Sequence, residues 1–259
     1  MQASSRLDEM NDAGETQVEL REVEVDGRSV RYRIAGTGEP LVLVHGLAGS
    51  WRWWSPLFRA LAARRRVNVV DLPRLHPPVR PDRLSEWLGR WLDAAGLEQV
   101  DLAGHSLGGL VAAELASAES GRTRRLVLVA PVGIPCGRSF PSRAAQLLVE
   151  LYGVRRWLPM LAADALRTGP VDVVRGVAFV SGRDLRRELA AVRAPTLLVW
   201  GERDRLVPLH VAEEWRQTLP DARLAYLQCG HVPMLEAPHQ LADSMLSFLD
   251  EDLLDERSD

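Results

Sequence analysis

Lysine is missing altogether: all 32 basic residues of the 259-residue chain are arginine. Isoleucine occurs only as Ile34 and Ile134 against abundant leucine, valine and alanine, the usage expected of a GC-rich, bacterial coding sequence. Those scarcities say little about chemistry, but others exclude whole classes of function. Two cysteines, Cys136 and Cys229, are too few for a disulfide framework and stand in no metal-ligand spacing, so free buried thiols are expected. The His, Asp and Glu residues form no ligand cluster at helical or hairpin spacing, so no metal is expected, and the glycine-rich stretches suit no phosphate-binding loop. A large excess of one charge is also absent: 32 Arg against 35 Asp plus Glu leaves a net charge of -3, which gives nucleic acid nothing to hold. No apolar run is long enough to cross a bilayer, and the polar start MQASSRLDEMNDAGETQ lacks the basic and apolar regions of a secretory signal. A cytoplasmic protein with no integral membrane segment is the expectation.

What is present is an ordinary globular composition, 46% hydrophobic and 26% charged, in a length that suits one large α/β domain. Residues 1–16 offer no apolar periodicity and read as a disordered tail, with structure beginning near Gln17. Two alternating segments, Val18 to Val25 and Val30 to Ile34, flank Asp26-Gly27 and read as a hairpin of half-exposed strands. The pattern then changes to short, wholly apolar runs at 41–44, 67–70, 100–103, 126–130 and 196–200, the signature of parallel strands buried on both faces. Leu224 to Cys229 completes a set of eight. Helical spacing lies between them, as in Leu84, Trp87, Leu88, Trp91 and Leu92, and again from Leu107 to Ala118. The fold class is therefore α/β: a doubly wound, mostly parallel eight-stranded sheet with helices on both faces.

The alternation breaks once, over about 60 residues with helical but no strand-like patterning. Residues 17–133 and 193–252 are accordingly read as the core and 134–192 as a helical cap. The apolar cap residues include Leu147, Leu148, Leu151, Tyr152, Trp157, Leu158, Met160, Leu161, Val174, Val177 and Phe179. They would pack the cap onto the core or line an acyl pocket. The C-terminal DEDLLDERSD reads as a solvated helix end.

Chemistry concentrates at Ser106. The apolar strand 100–103 runs through Gly104-His105-Ser106-Leu107-Gly108-Gly109 into a helical pattern, the strand, sharp turn and helix that a nucleophile elbow requires. Gly104 and Gly108 stand where a Cβ would meet backbone, and the helix start puts amide groups beside any negative charge developing at the serine.

From about residue 28 to 250 the chain resembles the α/β-hydrolase family. His45-Gly46-Leu47-Ala48-Gly49 follows the strand 41–44 as that family's oxyanion loop does. Asp204 follows the strand 196–200, His231 follows Leu224 to Cys229, and the order Ser, Asp, His is the family's. The resemblance implies Ser106 as nucleophile, His231 as base, Asp204 as the acceptor that orients it, and the backbone N–H groups of Leu47 and Leu107 as oxyanion hole. No other histidine follows a late strand: His45 and His105 lie within motifs, His76 in a proline-rich loop, and His210 and His239 on predicted helices. After the sixth strand stands Pro131-Val132-Gly133, with no carboxylate to compete with Asp204.

Where many relatives carry Asp-Leu-Pro-Gly-His-Gly, this chain has Asp71-Leu72-Pro73-Arg74-Leu75-His76, which predicts a stiffer loop of different shape at the active-site mouth. Trp51 and Trp53 are candidates for an aromatic wall against substrate, with anchoring of the first helix as the competing role, shared by Trp54. The cap arginines Arg155, Arg156, Arg186 and Arg187 suit a solvated face better than an anion site. The expected activity is hydrolysis of small or medium apolar carboxylic esters through an acyl-serine, without cofactor. The alternatives are carbon-carbon bond cleavage of vinylogous diketones by the same three residues, and a ligand receptor or scaffold with little turnover. A carboxylate-nucleophile reaction is excluded by serine at 106.

Overall fold

The computed structural model describes residues 17–75, 79–136, 150 and 153–251. The two alternating segments form an antiparallel hairpin, β1 Val18–Val25 and β2 Arg28–Ala35, with Val25 opposite Arg28. Its turn residues Asp26 and Gly27 have φ of 52° and 70°, the left-handed conformation a two-residue hairpin turn demands. Only Val25 of β1 is buried, and Val18 and Leu20 are exposed, because β1 is the outer edge of the sheet.

The apolar runs become β3 Pro40–Val44, β4 Arg66–Val70, β5 Val100–His105, β6 Thr123–Val129, β7 Thr196–Gly201 and β8 Ala222–Leu227. The eight strands lie in the order β1-β2-β4-β3-β5-β6-β7-β8, with β3 to β8 mutually parallel. β8 is displaced two residues toward the N-terminus of the expected Leu224 to Cys229. Cys229 leaves the ladder because its carbonyl accepts from the Arg203 N–H at 2.9 Å, turning the chain toward the loop that holds Asp204.

The helices are α1 Phe58–Ala62, α2 Leu84–Ala94, α3 Leu107–Ala118, α4 Leu158–Thr168, α5 Pro170–Gly182, α6 Arg186–Leu189, α7 Leu209–Thr218, α8 Pro233–Glu236 and α9 Pro238–Leu249. On one face α2, α3 and α7 pack Trp87, Trp91, Leu110 and Trp215 onto the sheet. On the other, α1 and α9 pack Phe58, Leu61, Met245 and Phe248, with Trp54 at the entry to α1. Apolar burial on both faces is what makes the strands uniformly apolar.

Between β6 and β7 the regular elements among the described residues are helical, the longest being α4 and α5, followed by α6. Trp157, Met160 and Leu161 pack against the core layer that holds α1 and α9, Trp157 donating to the Leu235 carbonyl of α8 at 3.2 Å, and Phe179 packs against the opposite layer, whereas Leu158 and Val174 are exposed. Leu147, Leu148, Leu151 and Tyr152 lie outside the described residues. At the amino-terminal edge of the sheet, fully buried Asp101 accepts from Arg124 Nε and Nη2 at 3.0 and 2.8 Å, and Arg65 Nη2 pairs with Asp250 at 2.5 Å.

Candidate active site

Parallel strands deliver all their carboxyl ends to one edge, so residues that follow β3, β5, β7 and β8 converge there although far apart in sequence. β5 is central, and Ser106 stands between its end and α3 with φ 52° and ψ -113°. A non-glycine residue in that conformation carries roughly 1 to 3 kcal/mol of strain. The turn is held by the Ser106 N–H donating to the Val129 carbonyl at 3.0 Å and by the Ser106 carbonyl accepting from Leu110 at 3.1 Å. A side chain at Gly104 would collide with Gly108 backbone, and one at Gly108 with the carbonyls of Val44 and His45, so the elbow and the loop after β3 can approach only through glycine.

Three residues named from the sequence meet here. Ser106 Oγ lies 3.2 Å from His231 Nε2, and His231 Nδ1 lies 2.8 Å from Asp204 Oδ2. The remaining Asp204 oxygen, Oδ1, accepts from the Leu206 and Val207 N–H groups at 2.9 and 2.8 Å, which fixes the carboxylate facing the imidazole. Asp204 and His231 are both buried. Burial alone would disfavour the imidazolium, but the charge and hydrogen bond of Asp204, aided by Glu150 and Glu236, outweigh it and hold the His231 pKa above its ordinary value. An imidazole with Nδ1–H on a carboxylate and Nε2 toward a hydroxyl can take the hydroxyl proton.

Leu107 opens α3, and Leu47 lies in the loop after β3 just before Ala48, whose φ is 57°. His45 shapes that loop: its Nδ1–H donates to the Gly46 carbonyl at 2.8 Å while Nε2 accepts from the Leu72 N–H at 2.9 Å. Burial pushes its pKa down despite Asp71 nearby, so the ring is neutral. His105 is held well below the ordinary value, first by burial and then by His231, and its Nε2–H donates to the His231 carbonyl at 2.8 Å. The ring of His105 thus packs against that of His231, at 5.0 Å between ring centres.

Trp53 is buried, with its ring 5.8 Å from that of His105 and its indole N–H donating to Asp164 Oδ2 at 3.2 Å. Trp51 stacks on Phe58 at 6.1 Å and lies under the Arg33 guanidinium at 3.8 Å. Both rings thus have packing partners beside the site.

Charged residues that the sequence reading passed over fasten α4 to these loops. Asp164 of α4, wholly buried, accepts from the Ser50 hydroxyl at 2.7 Å as well as from Trp53. Arg167 donates to the Gly49 carbonyl at 2.9 Å and to Asp71 at 3.2 Å, and Asp71 accepts from the Trp51 N–H at 2.6 Å. The available signal was faint: Asp164 lies three residues after Leu161, on the inward side of a helix. Glu150 and Glu236, which bond the backbone around His231, were also unmarked by any motif. The Cys229 thiol is pushed up to about 12 by burial and by Glu236, and so is inert.

A cavity of about 50 Å³ lies beside the loop after β3, walled by Gly46, Leu47, Leu72, Leu75, Leu107 and Arg167. Along Leu72, Pro73, Arg74 and Thr168 it adjoins an open groove of about 720 Å³ that reaches Arg28 and Arg31 of β2. Pro73 and Arg74, the departure from the family's glycine-rich loop, form part of the partition between them. Among the described residues no group of three His, Cys, Asp or Glu side chains is arranged to hold a metal, and no helix is long and apolar enough to cross a membrane.

Comparison with known proteins agrees with this architecture. A RutD protein of Azorhizobium caulinodans, named for carbamate hydrolysis, is 30% identical over 250 residues, covering 85% of this chain and 94% of the relative. The pimeloyl-[acyl-carrier protein] methyl ester esterase of Nitrosomonas europaea is 29% identical over 249 residues, covering 82% of this chain and 96% of that protein. The crystal structure of a bacterial membrane phospholipase A superposes with a TM-score of 0.77 at 25% identity, covering 90% of this chain and 86% of that one. The model of the alpha/beta hydrolase family matches residues 41–244, a span that runs from β3 into α9 and takes in the loops bearing Leu47, Ser106, Asp204 and His231, and the chain belongs to that family.

Proposed function

We propose that this chain hydrolyses carboxylic esters through an acyl-serine intermediate. The observation that carries the reading is the continuous contact from Ser106 Oγ through His231 to Asp204, at 3.2 and 2.8 Å. Ser106 Oγ attacks the ester carbonyl while His231 Nε2 takes its proton. Asp204 holds the imidazole in the Nδ1–H tautomer and stabilises the imidazolium. The N–H groups of Leu47 and Leu107 receive the oxyanion, each such donor being worth about 3 kcal/mol in the transition state. His231 hands the proton to the departing alcohol, and a water activated by the same imidazole releases the acid and restores Ser106. No cofactor or metal enters this chemistry.

An apolar acyl group of small or medium size is supported by the cavity beside Leu47 and Leu107, whose lining includes Leu72, Leu75 and Leu84. On this reading residues 17–133 and 193–252 form the catalytic core and 134–192 the cap. Trp51 and Trp53 border the substrate through the loop that they brace.

The test is a panel of p-nitrophenyl esters of increasing acyl length, with Ser106→Ala in parallel and intact-mass detection of fluorophosphonate labelling. Turnover that vanishes in Ser106→Ala, with stoichiometric labelling of the wild type, supports the reading. Unchanged ester turnover in Ser106→Ala sinks it. Faster turnover of a vinylogous diketone than of any ester reassigns the reaction to carbon-carbon cleavage, and absence of labelling points to a receptor or scaffold.

A further inference from the structure

Three successive backbone N–H groups around the candidate base, those of Gly230, His231 and Val232, all donate to carboxylates. Glu236 of α8 takes the outer two, Gly230 at 2.8 Å on Oε2 and Val232 at 3.2 Å on Oε1. Glu150 takes the middle one, with its Oε2 at 2.8 Å from the His231 nitrogen. The other Glu150 oxygen, Oε1, accepts from the Arg205 N–H at 2.7 Å, the residue directly after Asp204. Glu150 is 7% exposed, so both of its acceptors are committed in a dry environment.

We infer that Glu150, reaching in from the insertion between β6 and β7, is a positioning residue that clamps the Asp204 loop to the His231 loop. The inference rests on the reading of Ser106, His231 and Asp204 as the reacting group. A single side chain from the cap segment thereby sets the separation of acid and base, 27 residues apart in the chain. A misplacement of about 1 Å in such a pair costs on the order of 10²-fold in rate. The clamp also places a second negative charge beside the imidazole. The titratable groups facing His231 are Asp204, Glu150, Glu236 and His105, and the three carboxylates favour its protonated form. Glu236 is itself pushed up, by burial first and by Glu150 among its neighbours, so the two carboxylates are electrostatically coupled.

The experiment compares full-length wild type, Glu150→Gln and Glu150→Ala in kcat/KM against pH on a p-nitrophenyl ester, with Ser106→Ala alongside. Glutamine keeps the shape but removes the charge and offers a donor where the clamp needs an acceptor. The expected result is an acid limb displaced to lower pH in Glu150→Gln, and kcat lowered about 10- to 100-fold in Glu150→Ala with KM little changed. An unmoved acid limb with wild-type kcat in a folded Glu150→Gln overturns the role. Should Glu150→Ala fail to fold, the His231 titration followed by NMR in Glu150→Gln decides, and an unmoved midpoint again overturns it. Activity surviving in Ser106→Ala would instead overturn the underlying reading, so the two failures are distinguishable.

Discussion

The Ser50 hydroxyl donates a 2.7 Å hydrogen bond to the Asp164 carboxylate, joining the loop after β3 to α4 across 114 residues of chain. Trp53 shares the same carboxylate oxygen at 3.2 Å, so one buried acid satisfies two buried donors. Asp164→Ala leaves both without a partner, at about 1 to 3 kcal/mol for each orphaned group. The expected outcome is a loss of about 2 to 5 kcal/mol in urea unfolding together with reduced ester turnover. Stability within about 0.5 kcal/mol of wild type would show that the bond contributes nothing.

The pH profile follows from His231. A general base must be unprotonated, and the neighbouring carboxylates raise its pKa, so kcat/KM should fall on acidification at a pH above that of ordinary imidazole. Asp204→Asn removes the dominant opposing charge, so it should move the acid limb downward while lowering kcat by about 10⁴-fold. The pair of profiles checks both directions, and a limb below ordinary imidazole in the wild type contradicts the assignment.

Stability can be separated from activity at the opposite edge of the sheet. Asp101 is fully buried between Arg124 and Arg65, whose Nε stands 3.6 Å from it, and its removal takes a carboxylate from both cations, leaving buried Arg65 with Asp250 and Arg124 with Glu39. Asp101→Ala should cost about 3 to 5 kcal/mol. Below its unfolding transition the variant should keep wild-type kcat/KM, measured with the same ester.

Acyl length reports on the cavity beside the loop after β3. With Leu47, Leu72, Leu75 and Leu84 lining it, kcat/KM should be highest for short or medium acyl chains and fall at least about tenfold for a long chain such as palmitoyl. A steady rise with chain length would place the acyl group in the larger groove instead.

Much of this was legible beforehand, for definite reasons. Parallel strands covered on both faces must be apolar at nearly every position, so 41–44, 67–70, 100–103, 126–130 and 196–200 announced β3 to β7. A serine on a sharp turn needs glycine where backbone approaches, so Gly104 and Gly108 marked Ser106. The end of β8 was misplaced by two residues because Cys229 is apolar and buried, which the pattern shows, yet bonded outside the ladder, which it does not.

The amino-acid sequence by itself determined the α/β class, the number of strands and their succession along the chain, and the types of residue that would close on the sheet's carboxyl edge, because periodicity and turn chemistry are local. Only the tertiary structure decided which carboxylates stand at His231 and at Ser50. Glu150 is 81 residues from His231, and Asp164 is 114 from Ser50. A lone acid carries no periodic signal, and its value lies in the buried N–H and O–H groups that the fold brings to it. The same distinction holds for Trp51 and Trp53: their position after the loop that follows β3 was readable, but their packing partners, Phe58, Arg33, His105 and Asp164, were set by the tertiary structure.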